Sequence, residues 1–415
     1  MHRHRSFTAQ LARRDFLKTG ALATSAWLAK SSLGQGAEPV AKPSAAQLIV
    51  GKNPRLIVHK STPCEIETPL ELLGEQHITP VESIFVRNNA QPDWSLTLQP
   101  APQSDWRIDV TGLLEFPRTI KLDELRTLPQ SEVEMVLQCS GNGRAQFERS
   151  APVKGSPWSY GAVANVRFRG VSLATVFEHF KVQPDRAARF ITAEGGDAPA
   201  KTTDADFEHS LPLRDVLKRS LLALELNGQP LPAVHGGPVR LVTPGYYGTM
   251  HVKWLTRLRL EDRETANHHQ VARYRNPLEP LRPGEPFEST LDNSEPHWNM
   301  RIKSQIFSPG SGATVPAGRV TIKGVAWNDG LARIEMLEWS RDGGRTWQRA
   351  ELEPSASSYA WHPWQATLQL DPGEHTIHCR ATDRLGRSQP LDGAVDWNPA
   401  GYCWHGVESV TLRVV

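Results

Sequence analysis

The chain has 415 residues, 39% of them hydrophobic and 22% charged, with a formal net charge of +2. That length carries two or three domains and a real apolar core, which excludes a disordered chain. The near-even charge balance, only four cysteines and no later run of ~18 apolar residues exclude a basic nucleic-acid binder, a disulfide-dense scaffold and a membrane span in the mature chain.

Residues 1–37 read as an address rather than as structure. Arg13 and Arg14 precede Phe16-Leu17-Lys18 and a weakly apolar stretch from Gly20 to Ala29. This is the twin-arginine export pattern, which predicts a periplasmic protein exported in its folded state. The six Lys/Arg and single Asp of this segment carry the positive balance, and without them the formal charge is −3. A Pro/Ala-rich tether is expected over 38–50.

From 51 to 290, short strands such as "WRIDVTGLL" and "PVRLVTPG" mix with helical patches such as "SLATVFEHF" and "LPLRDVLKRSLLALEL". Helices and strands interleave without regular βαβ spacing, so the expected class is α+β. No G-x-G-x-x-G follows a strand, which argues against a dinucleotide fold. The Pro-rich, acidic segment 276–298 reads as a linker. Beyond it, residues 297–415 alternate with period two, as in Trp364, Ala366, Leu368 and Leu370 against Gln365, Thr367 and Gln369. That pattern predicts an all-β sandwich of the immunoglobulin-like kind. Within it, Ser340 to Trp347 ("SRDGGRTW") reads as a hairpin turn.

One cysteine stands out by its neighbours. Cys139, in "VLQCSGNGR", follows an apolar run and precedes a glycine-punctuated turn that leaves room for a bulky ligand. Arg87, Arg144, Arg149 and Lys154 surround it in sequence, and cations favour the thiolate that ligates metals. No second cysteine lies near enough for a zinc cage, and the histidines show no paired metal-ligand spacing. Cys379, sharing a face with Ile377 and Ala381, reads as core. Cys64 and Cys403 carry no readable signal, although a Cys379–Cys403 bridge would suit an oxidising compartment.

The chain resembles the sulfite oxidase family of molybdenum-cofactor oxidoreductases from about residue 68 to its end. "TPVESIFVRNNAQPD" (79–93), "LQCSGNGR" (137–144), "VKGSPWSYGAVANVRFRGVSL" (153–173) and "NGQPLPAVHGGPVRLVTPGYYGTMHVKWL" (227–255) follow the family's order. The resemblance implies a molybdopterin without an attached mononucleotide, with Cys139 as the molybdenum ligand. It assigns the cofactor to Phe85, Arg87, Asn89, Asp197, His235, Arg240, His251 and Lys253. It places Arg87, Arg144, Lys154, Trp158 and Tyr274 around a small sulfur oxyanion such as sulfite. It further implies a sandwich that serves dimerisation, hence a homodimer, and a separate cytochrome c-type electron acceptor. No haem, flavin or zinc is expected.

Several positions depart from the family pattern: Asn89, Gly143, Met250, His251 and Arg273, with Arg333 one position away from the arginine that the second domain would lend. These put the substrate in question rather than the cofactor. A sulfane-sulfur dehydrogenase subunit or an S- or N-oxide reductase stays open on the same cofactor, as does an inactive immunoglobulin-like binding protein.

Overall fold

Alternating and continuous apolar runs set the strands in the computed structural model, which describes residues 43–101, 105–199, 206–391 and 394–415. The twin-arginine pattern lies outside the described residues. Ser44 caps a one-turn helix, Ala45–Leu48, which buries Ala45 and carries the chain to the buried Ile49. The described end of the expected tether is therefore anchored. Its Ala/Pro composition hides two residues that fill a small apolar cluster with Leu56, Ile66 and Leu72.

An antiparallel three-stranded sheet follows: β1 (Ile57–Lys60), β2 (Glu65–Glu67) and β3 (Val86–Arg87). Two larger sheets build the rest of the first part. One contains β4 (Arg107–Gly112), β5 (Arg118–Lys121), β8 (Phe190–Gly195), β9 (Glu208–Pro212) and β13 (Leu255–Glu261), in the order β5-β4-β13-β8-β9. Only the β4–β13 pairing there is parallel. The other contains β6 (Ser131–Gln138), β7 (Val163–Ser172), β10 (Leu221–Leu226), β11 (Gln229–Pro230) and β12 (Arg240–Val242), in the order β11-β10-β7-β6 with β12 on β10. The main core, including Val110, Val176, Val216, Leu241 and Leu258, is fed by both sheets and by the helices Leu173–His179 and Leu213–Arg219. This is the expected α+β class.

The apparent helix "LPLRDVLKRSLLALEL" splits in two. Its first half is the helix Leu213–Arg219, and after Ser220 the chain becomes strand β10. Strand β10 pairs with both β7 and β12, so ladder bonds on two sides override the helix propensity of a Leu/Ala/Glu run.

The expected linker is also more ordered than its composition suggests. Strand β14 (Arg275–Pro277) pairs antiparallel with β15 (Ser294–Pro296). Arg275 fastens this arm: it donates to Ser294 Oγ at 2.8 Å, to the Ser294 carbonyl at 2.6 Å and to Glu264 Oε2 at 2.6 Å.

The remaining strands form the expected sandwich. One sheet runs β16 (Lys303–Ser308), β18 (Gly318–Trp327), β22 (His362–Leu370) and β21 (Glu351–Leu352). The other runs β17 (Thr314–Val315), β24 (Glu408–Val414), β23 (Gly373–Asp383), β19 (Ile334–Ser340) and β20 (Gln348–Arg349). Asp342 organises the β19–β20 turn by accepting from the Thr346 amide at 3.0 Å and its hydroxyl at 2.6 Å. Cys379 is fully buried in the sandwich core. All four cysteines are free, so the Cys379–Cys403 bridge is not formed.

Three contacts fasten the sandwich side of the chain to the glycine turn after β6. Trp327 Nε1 donates to Gln138 Oε1 at 2.7 Å, the Cys403 amide to the Ser140 carbonyl at 2.8 Å, and Arg144 Nε to the Ala400 carbonyl at 2.9 Å.

Candidate active site

Strand β6 is apolar from Met135 to Leu137 and ends in the buried Gln138, so it delivers Cys139 at the edge of the core. The turn that follows is stitched to the start of β7. Cys139 donates its amide to the Ala162 carbonyl at 2.9 Å, and Asn142 Oδ1 accepts from the Ala162 amide at 3.1 Å. The thiol lines a cavity together with Phe85, Arg87, His235 and Lys253. Burial pushes its pKa up, while the charges of Arg87 and Arg144 pull it down. A metal ion would displace the thiol proton outright.

The cavity wall assembles residues from distant parts of the chain. Phe85, Arg87 and Asn89 come from β3 and its flanks, and Asp197 from just beyond β8. Arg240 comes from β12, and His235, His251 and Lys253 from the loops around it. All nine expected cofactor residues, Cys139 included, line this one cavity, and Tyr274 completes its wall.

Its electrostatics are strongly cationic. Arg240 is held by the carbonyls of His251 (3.0 Å) and His235 (3.1 Å), and burial lowers its pKa to about 9. Burial, then the Arg240 charge, lowers Lys253 to about 7. Asp197 is raised to about 7, chiefly by burial and against the pull of Lys253. A bound anion would restore full charge to Arg240 and Lys253, because opposite charge favours the protonated form.

His251 is held neutral, its pKa pushed to about 3 by burial. Its Nε2 donates to the Thr243 carbonyl at 2.9 Å, which leaves Nδ1 as an acceptor. Arg87 Nη1, Asp197 Oδ2 and His251 Nδ1 are buried without a hydrogen-bond partner. Buried polar atoms are rarely left so, and each one marks a place for a ligand atom. The set therefore offers a thiolate donor, a donor and acceptor suited to a polar heteroaromatic ring, and buried cations suited to phosphate. It fits a molybdenum pterin.

The remaining expected residues are not part of this wall. Trp158 is only 1% exposed and packs in an apolar cluster with Ile84, Phe85 and Cys139. It shares that cluster with Cys139 and is not part of the cavity wall. Lys154 is exposed and lines a separate groove with Arg273, Tyr274 and Tyr402. Arg144 is buried, donating to the carbonyls of Ala400 and Ser156, both at 2.9 Å. Met250 is core, and Arg333 is exposed on the sandwich. Gly143 sits at φ +91, and a Cβ there would come within 2.6 Å of the Trp404 ring.

Sequence reading missed Lys52, Asn88 and Tyr402. Lys52 is 2% exposed and donates to the carbonyls of Val81 (2.8 Å) and Ile84 (2.7 Å), 3.0 Å from His235 Nε2. Asn88 Oδ1 accepts from Lys253. Lys52 lies outside every motif and only the fold brings it to the site, whereas Asn88 sits between Arg87 and Asn89 in the 79–93 motif without having been singled out.

Two family models match the chain: an oxidoreductase molybdopterin binding domain over residues 96–269 and a Mo-co oxidoreductase dimerisation domain over 294–411. The sulfite oxidase of Gallus gallus is 34% identical over 385 residues, covering 89% of this chain and 81% of that protein. The chain belongs to the sulfite oxidase family of molybdopterin oxidoreductases.

The mitochondrial sulfite oxidase of Rattus norvegicus is also 34% identical, over 373 residues and 86% of this chain, but the match spans only 66% of the rat protein's length. In fold, the sulfane dehydrogenase SoxCD from Paracoccus pantotrophus superposes with a TM-score of 0.72 at 24% identity, over 92% of this chain and 93% of that one. Cys139 and most of the polar lining of its cavity fall within residues 96–269, the span matched by the molybdopterin binding domain. No helix among the described residues is long and apolar enough to cross a membrane.

Proposed function

We propose that this chain is the molybdenum subunit of an exported enzyme that oxidises sulfite to sulfate and passes the electrons to a cytochrome c-type acceptor. The observation that carries this reading is Cys139 on the wall of a cationic cavity in which Arg87 Nη1, Asp197 Oδ2 and His251 Nδ1 are buried without partners. Cys139 would ligate the metal, Arg240 and Lys253 would hold the pterin phosphate, and Asp197 and His251 would meet the ring. Bound there, the molybdenum cofactor supplies two-electron oxygen-atom-transfer chemistry.

The chain's own residues bind and orient the anion. Sulfite is a small, doubly charged oxyanion near neutral pH, so the fixed charges of Arg87 and Arg144 attract it, and Lys154 and Arg273, exposed in the groove that shares Tyr274, steer it. Burial keeps the charges of Arg87 and Arg144 effective by excluding water, and cations preset where oxygen charge develops lower the barrier. Tyr274 contributes a hydroxyl already aimed at Asn89 Oδ1, at 3.0 Å. Two copies would associate through the sandwich, and the twin-arginine pattern would direct the chain to the periplasm.

A second reading keeps the cofactor and changes the substrate to a sulfane sulfur or an S- or N-oxide. It is favoured by the exposed Arg333 and by the indole that covers Gly143, since neither position supplies the pocket with a further cation.

The test is metal analysis of protein made with molybdopterin maturation factors, coupled to a sulfite–cytochrome c assay. Near-stoichiometric molybdenum with saturable sulfite turnover is expected. Stoichiometric molybdenum without turnover would move the assignment to the second reading, and the absence of molybdenum would reject both.

A further inference from the structure

The segment Asn398–Gly406 leaves the sandwich sheets and turns back onto the glycine turn beside Cys139. Its middle residue, Tyr402, is 8% exposed. The Tyr402 ring stacks on Tyr274 with centroids 5.1 Å apart and planes 29° from parallel. The Arg144 guanidinium lies 5.4 Å from the centroid of the same ring. Tyr402 lines the groove that also exposes Lys154, Arg273 and Tyr274.

The Tyr402 hydroxyl makes no hydrogen bond to any described residue, and Tyr402 is part of the groove wall, so its donor is free for a ligand there. The backbone is bent on both sides to present it: Gly401 has φ +64 and Cys403 has φ +60. A left-handed non-glycine residue is strained and persists where the surroundings impose it, often at functional sites. Tyr274, the stacking partner, is itself left-handed at φ +57. The surroundings here are the Cys403 amide on the Ser140 carbonyl and the Ala400 carbonyl on Arg144.

We propose that Tyr402 is a substrate-binding residue lent by the sandwich, whose phenol donates a hydrogen bond to the sulfur oxyanion held by Arg87, Arg144 and Tyr274. It takes the part that a second-domain cation would otherwise play, since Arg333 is turned out to solvent. Burial, then the neighbouring Tyr274, holds the phenol well above the usual range despite the charges of Arg144 and Arg87. It therefore stays protonated and able to donate at any working pH. The site thus adds a neutral donor rather than another positive charge.

The identification of the anion as sulfite rests on the proposed function, whereas the placement of an anion beside Tyr402 does not. The deciding variant is Tyr402→Phe, which keeps the ring on Tyr274 and under Arg144 and removes only the hydroxyl. Sulfate binding to the molybdenum-loaded protein is measured by calorimetry, alongside sulfite KM and kcat, molybdenum content and melting temperature. A hydrogen bond to a charged group contributes about 1.5–3 kcal/mol, so sulfate affinity should fall roughly tenfold or more. KM should rise by a similar factor, with kcat within about twofold and molybdenum unchanged.

Equal sulfate affinity in the variant and the parent would overturn the proposal, as would no sulfate binding by the parent. A large drop in melting temperature would overturn it too, because the hydroxyl would then be a structural group. Failure of the parent to oxidise sulfite would sink the proposed function alone, leaving the sulfate comparison to decide on Tyr402.

Discussion

Cys139 is one of four buried, free cysteines, and burial raises the thiol pKa of all four. Cations do not single it out, since Cys64 feels Lys253 and Lys52 as Cys139 feels Arg87 and Arg144. What separates it is the cavity it lines, opened by the turn that β6 delivers it to. Replacing it with Ser keeps the backbone bond from residue 139 to Ala162 and changes little volume, so the fold should hold. Serine is a far poorer metal donor, and the Cys139→Ser protein should lose more activity than the ~10–100-fold that outer-shell changes cost. Molybdenum content and sulfite turnover check this together, and an active variant would show that another group ligates the metal. At this scale the sequence was partly legible. Eight of the nine expected cofactor residues belong to the quoted motifs and meet on one wall, and Asp197 joins them from outside any motif. Lys52 and Tyr402 were not legible, since each reaches the site from a segment whose local pattern says only "loop". Trp158 shares a motif with Lys154, yet it faces the core, because a quoted motif does not fix which side of the chain meets the ligand.

Among the elements, the turn from Cys139 to Arg144 holds the two parts of the chain in register. Gly143 occupies the left-handed region at φ +91 with the Trp404 ring against it. The absent arginine there follows from that packing: no side chain fits beneath the indole. Gly143→Ala should therefore destabilise the protein by about 1–3 kcal/mol, as a substituted positive-φ glycine does, with extra cost from displacing Trp404. Gly143→Arg should be worse still, rather than restoring a family-like pocket. Urea unfolding of the three proteins reads this directly, and an Arg variant as stable as the parent would refute it. Strand periodicity was the most legible signal, and the sandwich follows its alternation closely. The legible pattern failed where partners outvoted local preference. Strand β10 carries a helix-favouring sequence but is paired on two sides, and the β14–β15 arm reads as linker until Arg275 meets Glu264 and Ser294.

Across the whole molecule, a set of buried histidines ties stability to pH. His209, His251 and His405 are each lowered to about 3, chiefly by burial, and His235 and His297 lie well below the usual value for the same first reason. In the unfolded chain each would titrate near 6.5. Below that pH the unfolded state binds protons that the folded state refuses, so stability falls as pH falls, by about 1.4 kcal/mol per pH unit for each histidine. Three carboxyls act in the opposite sense. Asp197 and Glu408 are raised to about 7 by burial, and Glu194 is raised for the same first reason, so between about pH 7 and 4 the folded state binds the extra protons. With His362 lowered as well, six histidines against three carboxyls leave a net loss on acidification, and urea midpoints should drop steadily from pH 7 to pH 5. His297 gives the sharpest test. It packs among Tyr247, Tyr274 and Tyr402, neither of its ring nitrogens has a hydrogen-bond partner, and Arg301, Arg275 and Arg144 oppose its charge. Phenylalanine matches that ring's shape and cannot take a proton. His297→Phe should therefore fold at neutral pH and lower the slope of stability against pH by about 1.4 kcal/mol per unit below pH 6. An unchanged slope would mean that His297 is already protonated in the folded protein, and that the cations around it are balanced by charge from elsewhere.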